Sequence, residues 1–293
     1  MNTAVITIHY LNKRGGNMST IVTAIDFSKG SIHALDYTLQ IANRTKSNII
    51  LVWVDNHSVT DPVLQPYSTE FKNEAKQNFE EILPVYQKKL KSGNITYKLR
   101  KGKVAQEVAA VAKSANAQMI ISGTHGGSGY EEFWIGSNAN RIVIMAPCPV
   151  ITVNHLFDNK IGIHNIVLPI DSTIDTRKKV PEAIKMASIF NAEIHILGVY
   201  STTLNTLHKR VDAAVEKVKE DLIRNEIPFR SKIIDAQNIT TATINYVDET
   251  NADMIIMMTE QESSSQNRLL GQYAQQMVNL SPVPVLSIHP NYS

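Results

Sequence analysis

The residues best suited to chemistry in this chain are three glycines and a serine. Gly123-Thr124-His125-Gly126 is followed, after nine intervening residues, by Gly136-Ser137. The apolar run Gln118-Met-Ile-Ile-Ser122 precedes the first pair, and a helical pattern starts near Asn138. Glycine has no Cβ and tolerates positive φ, so its backbone can come close to a ligand. A helix start adds unpaired N–H groups and a partial positive charge. The chemistry this suits is phosphate binding by backbone.

Other chemistries are poorly served. There is no Gly-x4-Gly-Lys-Ser/Thr loop, and no glycine fingerprint follows the first strand-like run. Between Gly123 and Asn140 the chain carries no lysine or arginine. Efficient phosphoryl transfer needs a placed cation, a metal-holding acid and an activated nucleophile, so binding and sensing is favoured over fast turnover. His125 as a general base lacks a visible partner and reads as a binding-loop residue. Cys148, between two prolines, reads as a packed thiol, and Met254, Met257 and Met258 as core packing. His33, His164, His195 and His289 are scattered without metal-site spacing. Lys88-Lys-Leu-Lys91 reads as a solvated helix face.

Positioning such a loop requires alternating strands and helices. Thr20–Ile25 is a β-branched run closed by Asp26, with Ser28 as helix cap and Ile32, Leu35, Leu39 and Ala42 on one helical face. Strands are expected at Asn48–Val54, Ile95–Leu99, Gln118–Ser122 and Pro149–Val153. A helix carrying Phe71, Ala75, Phe79 and Ile82 should kink or end at Pro84, and helices are expected over Val104–Ala115 and about 137–146. The alternation predicts a parallel, doubly wound sheet with right-handed crossovers.

The second half repeats the first. His164–Ile170 ends at Asp171, Glu193–Val199 matches the second strand, and a helix carries Val211, Val215, Val218 and Leu222. A strand over Phe229–Ile234 and a helix near 239–250 follow. Ala252-Asp-Met-Ile-Ile256 matches Ala117-Gln-Met-Ile-Ile121 at an offset of 135 (252 − 117), and Ser281-Pro-Val-Pro-Val285 matches Ala146-Pro-Cys-Pro-Val150 at the same offset (281 − 146). Two equal offsets mark an internal duplication. The units are an extension over 1–17, a first domain over 18–154 and a second over 163–290, divided in the polar stretch Asn154–Ile163.

Size and composition agree with two folded units. The chain has 293 residues, 43% hydrophobic and 19% charged, with a formal net charge of +2, which suits globular domains and offers little to nucleic acid or an anionic membrane. No apolar run approaches the roughly 20 residues a membrane helix needs. A single cysteine fits a reducing compartment, so a cytoplasmic protein is expected. Lys13-Arg-Gly-Gly-Asn17 before Met18 could be encoded by a purine-rich ribosome-binding sequence, and the expected natural start is Met18. The intact mass of the native protein tests this.

The pattern Gly123-x2-Gly126-x9-Gly136-Ser137, the aspartate closing the first strand and the Pro-x-Pro-Val before the last resemble the universal stress protein family. The resemblance runs over both halves, from about residue 18 to 290. It implies two tandem five-stranded parallel sheets in the order 3-2-1-4-5, an adenine-nucleotide alpha-hydrolase-like α/β fold. It also implies ATP or AMP in the first domain, at the crevice where strands one and four flank the switch point, with room for Mg2+ beside the phosphates. By the family pattern Ala24, Ile25 and Asp26 contact the adenine with Val54 beside them. Gly123, Thr124, His125 and Gly126 approach the ribose and first phosphate, and Gly136, Ser137 and Asn138 hold the outer phosphates. An unknown protein partner would read the bound state. The family also pairs through its last strand, so Val150–Val153 and Val283–Ile288 are expected to join the domains as an internal pseudo-dimer, with a homodimer as the further assembly.

The second domain departs from the motif. The offset of 135 sets Met258 against Gly123, Gln261 against Gly126 and Gln272 against Ser137, while Gly271 still matches Gly136. Bulky side chains and the carboxylates Glu260 and Glu262 oppose an anion there, so this domain is expected to be structural or partner-facing. Two rival readings stay open: a slow ATPase on the same fold, and a scaffold that binds no nucleotide.

Overall fold

The computed structural model describes residues 18–56, 68–124, 137–158, 162–259 and 270–290. The first half runs β1 (Thr20–Ala24), α1 (Lys29–Thr45), β2 (Asn48–Asp55), α2 (Ser68–Lys89), β3 (Ile95–Lys101), α3 (Val104–Ser114), β4 (Met119–Gly123), α4 (Ser137–Met145) and β5 (Val150–Val153). The second runs β6 (Asn165–Ile170), α5 (Val180–Phe190), β7 (Glu193–Tyr200), α6 (Asn205–Arg224), β8 (Phe229–Asp235), α7 (Ile239–Thr250), β9 (Met254–Met258), α8 (Gln272–Leu280) and β10 (Val285–Ile288). The fold is α/β, as expected, with each half in the order 3-2-1-4-5.

The two sheets are one. Strand order is β3-β2-β1-β4-β5-β10-β9-β6-β7-β8, parallel within each half and antiparallel where β5 meets β10. Ile151 pairs with Leu286, and these are counterparts at the offset of 135 (286 − 151). Opposed counterparts are what a local two-fold axis through the sheet requires. The central strands β4, β5, β9 and β10 are almost wholly buried, because helices cover both faces. The chain moves one way through β1-α1-β2-α2-β3 and the other way through β4 and β5. Right-handed crossovers then put α1 and α2 on one face and α3 and α4 on the other.

Three differences from the expected elements have physical causes. Helix α2 continues through Pro84 to Lys89. Pro84 is exposed, while Tyr86 beyond it is buried and donates to Asp36 Oδ1 of α1 at 2.8 Å, and Gln87 binds the backbone of Gly93 and Ile95. Those contacts outweigh the lost helix bond. Helices α5 and α8 were not among the expected elements; they pack through Val180, Ala183, Met186 and Ala187 and through Ala274, Met277 and Val278. The offset between halves is 145 at β1 and β2 (Asp171 − Asp26) but 135 from α3 onward, so the second half is shorter between its second and third strands. Among the described residues no helix is long and apolar enough to cross a membrane.

Candidate functional site

Strand β1 lies between β2 and β4, with Thr23 paired to Ile121 and Ala24 to Val52. The ladder runs on past the strand ends: Ile25 N donates to Val52 O at 2.9 Å, and Thr124 N to Val153 O at 3.1 Å. Ala24, Ile25 and Asp26 thus stand at the carboxyl edge beside Gly123 and Thr124, with Val54 near the end of β2. Here the order reverses, from β1 outward to β2 and outward to β4, the place where doubly wound sheets take their ligands. Ile25 and Thr124 are buried, Ala24 and Val54 half-buried, and Asp26 exposed.

Asp26 organises the helix entry. Its Oδ1 accepts from Ser28 N at 3.0 Å, and its N donates to Ser31 Oγ at 3.3 Å. Ser28 Oγ in turn caps α1 by accepting from Ser31 N at 3.2 Å. Phe27 between them has φ of 63°, a left-handed conformation that a phenylalanine holds only when its surroundings demand it. Its ring packs edge-on to Phe79 at 4.8 Å.

Gly123 is needed for a second reason, one the sequence did not reveal. A Cβ there would stand 2.7 Å from Gly30 O and 2.9 Å from Gly30 C. The first turn of α1 therefore lies directly on the end of β4, and only glycine fits between them. Helix α4 begins at Ser137 with no acidic residue in its first turn, which suits an anion at its N-terminus. Asn138 is exposed. His125, Gly126 and Gly136 lie outside the described residues, as does the side chain of Ser137.

The second half keeps the aspartate and loses the approach. Asp171 Oδ1 accepts from Thr173 N at 2.9 Å, and its N donates to Thr176 Oγ1 at 3.1 Å. Residues 174–179 form turns where α1 would already be helical. Lys179 is buried there, its Nζ donating to Thr176 O at 2.6 Å. Met258 closes β9 and is buried, as are Met254 and Met257. Gln261 lies outside the described residues, and Gly271 and Gln272 bracket the start of α8.

The model of the universal stress protein family matches residues 18–154 and 162–289. The chain belongs to that family. Relatives of one domain's length match at the sequence level. The universal stress protein YxiE of Bacillus subtilis is 25% identical over 143 residues, covering 45% of this chain and 97% of the relative. Universal stress protein A homolog 1 of Coxiella burnetii is 29% identical over 141 residues, covering 45% and 94%. Over both halves, the crystal structure of a universal stress protein from Archaeoglobus fulgidus superposes with a TM-score of 0.72 at 19% identity, covering 93% of this chain and 98% of that one. That likeness concerns the fold, with two such domains in one chain. Membership is consistent with a role in the stress response.

Among the residues the sequence reading left without a role, Cys148 is buried, and burial pushes its thiol up to about 12. His195 is buried on β7. His289 meets the other half of the molecule through Val143 O. That contact escaped sequence reasoning, although Pro147, four residues after Val143, was the signal that a helix carbonyl there would need an outside donor.

Proposed function

We propose that the first half binds one adenine nucleotide, ATP or AMP, and that its occupancy is the state a protein partner reads. The observation that carries this is the placement of Asp26 and Gly123 on the same carboxyl edge at the strand-order reversal, with the chain leading on to an α4 first turn free of acidic residues. The adenine lies against Ala24, Ile25, Asp26 and Val54. Gly123 to Gly126 pass the ribose, and Gly136, Ser137 and Asn138 hold the phosphates by backbone N–H groups and the Ser137 hydroxyl. Mg2+ accompanies a triphosphate as its counter-charge. With no lysine or arginine between Gly123 and Asn140, the site binds rather than turns over, and the second half binds no nucleotide in this mode.

Acid extraction of the purified protein, with chromatography of the released nucleotide, tests the reading directly. The expected result is close to one adenine nucleotide per chain. Gly126→Val should weaken nucleotide binding at least tenfold with little change in melting temperature. A protein that carries no nucleotide, and whose melting temperature ATP leaves unchanged, would overturn the proposal.

A further inference from the structure

Helix α4 runs into Pro147. A helical carbonyl is ordinarily met by the N–H four residues on, and for Val143 that residue is the proline, which has no N–H. Val143 is fully buried, so water does not substitute, and a buried carbonyl without a donor is costly. The donor comes from the other half of the chain. His289 Nε2 meets Val143 O, and because a carbonyl only accepts, Nε2 carries the proton.

The other face of the imidazole is also held. His289 Nδ1 lies 3.1 Å from Thr259 Oγ1, and Thr259 N donates to Ile288 O at 2.9 Å. Thr259 is the counterpart of Thr124 (259 − 124 = 135). The ring thus stands at the ends of β9 and β10 and grips the last turn of α4. Asn154, the counterpart of His289 (289 − 154 = 135), donates at 3.4 Å to Ser281 O and not to Val278, the counterpart of Val143 (278 − 143 = 135).

We infer that His289 is a positioning residue for the nucleotide site: by supplying the donor that Pro147 cannot, it fixes the helix whose first turn faces the phosphates. This rests on the nucleotide reading above. Helix α4 has nine residues, a rod of about 13 Å, so its N-terminal N–H groups follow the placement of its C-terminal end. A second anchor, Asn140 Nδ2 donating to Asn279 Oδ1 at 3.2 Å, also comes from the second half. The half without the loop glycines thereby serves the half that has them.

The test uses the full chain with His289→Leu, which keeps bulk and loses the N–H, and His289→Gln, which keeps an N–H at similar reach. ATP and AMP affinities are measured by calorimetry, and hydrogen exchange of the α4 amides is measured in nucleotide-free protein. His289→Leu should bind about tenfold more weakly, the loss of one well-placed hydrogen bond, with faster exchange in α4. His289→Gln should stay within about twofold of the parent. Unchanged affinity in His289→Leu, or equal losses in both variants, overturns the inference, the latter because it reports packing alone. If His289→Leu does not fold, Thr259→Val, which frees the ring without removing it, should still weaken binding about threefold, and no weakening overturns the inference. If the parent itself binds neither nucleotide, the nucleotide reading fails and the site role of His289 falls with it. The exchange result then judges the anchoring of α4 on its own.

Discussion

In the first half, α1 begins three residues after Asp26 and lays the backbone of Gly30 against Gly123 (29 − 26 = 3). In the second, α5 begins nine residues after Asp171, and the facing strand ends in Met258 (180 − 171 = 9). The helices end in register, each with a left-handed cap, at Lys46 and Asn191 (191 − 46 = 145). The difference is thus confined to the first six residues of the helix. Those residues are the backbone that forbids a side chain at Gly123. Where turns replace them at 174–179, position 258 carries a buried methionine. Degeneracy in the second half therefore has two parts that need each other: a bulky strand end and a shortened helix.

Exchanging the two residues gives the largest effect. Gly123→Met drives a side chain into Gly30, whose atoms are helix backbone and have little freedom to yield. Overpacking of this kind costs about 2–3 kcal/mol, and nucleotide binding should be lost with it. Urea unfolding followed by calorimetry reads both. The reverse change, Met258→Gly, removes a buried side chain and should cost about 2–4 kcal/mol without conferring binding, because the helix turn is still missing. A Gly123→Met protein of parental stability would break the comparison, since Gly30 and Gly123 would then not be in contact.

How much of this was readable beforehand follows from what each feature depends on. The strands announced themselves because parallel strands covered on both faces are continuous apolar runs, as at Met119–Ile121 and Met254–Met258. The duplication was legible because Pro-Cys-Pro-Val and Pro-Val-Pro-Val recur at one offset. Helix α2 beyond Pro84 was not, because its continuation is held by Tyr86 and Asp36, fifty residues apart in sequence. In the candidate site, Asp26 and Gly123 were singled out by type and spacing. Of their structural duties, the Asx turn from Asp26 to Ser28 N is local, whereas the approach of Gly30 to Gly123 is a tertiary fact with no local signature. His289 went unassigned for the same reason, since its partner carbonyl is 146 residues away.

A second contrast lies in the cores. His195 on β7 stands where β2 has Ile50 (195 − 50 = 145). Burial lowers its pKa below the usual imidazole value, opposed by Glu193, whose carboxylate lies 3.4 Å away, and aided by Arg230. A histidine kept neutral by the fold binds its proton more readily once unfolded. Its contribution to stability is therefore present above about pH 6.5, the ordinary value, and is lost as pH falls through the lower folded value. The second half should lose stability as pH falls below about 6.5 and the first should not, as resolved by hydrogen exchange in β7 against β2. His195→Ile should flatten that pH dependence. An acid loss that survives the substitution would assign it to carboxylates instead.

The smallest effect is expected at Cys148, whose counterpart is Val283 (283 − 148 = 135). Both are buried, so the thiol occupies a site that the other half fills with a hydrocarbon. Burial raises the thiol to about 12, well above the roughly 8.5 of an exposed cysteine. The fold thus favours the protonated form, and its contribution is complete below about pH 8.5 and declines as pH climbs toward the folded value. A thiol reagent at pH 8 should react with Cys148 at the rate of global or local opening. Cys148→Val should change stability by less than about 1.5 kcal/mol, as a near volume-conserving replacement. Labelling within seconds in native buffer would mean that the end of β5 opens freely. The seam between β5 and β10 would then be too loose to carry His289 to α4.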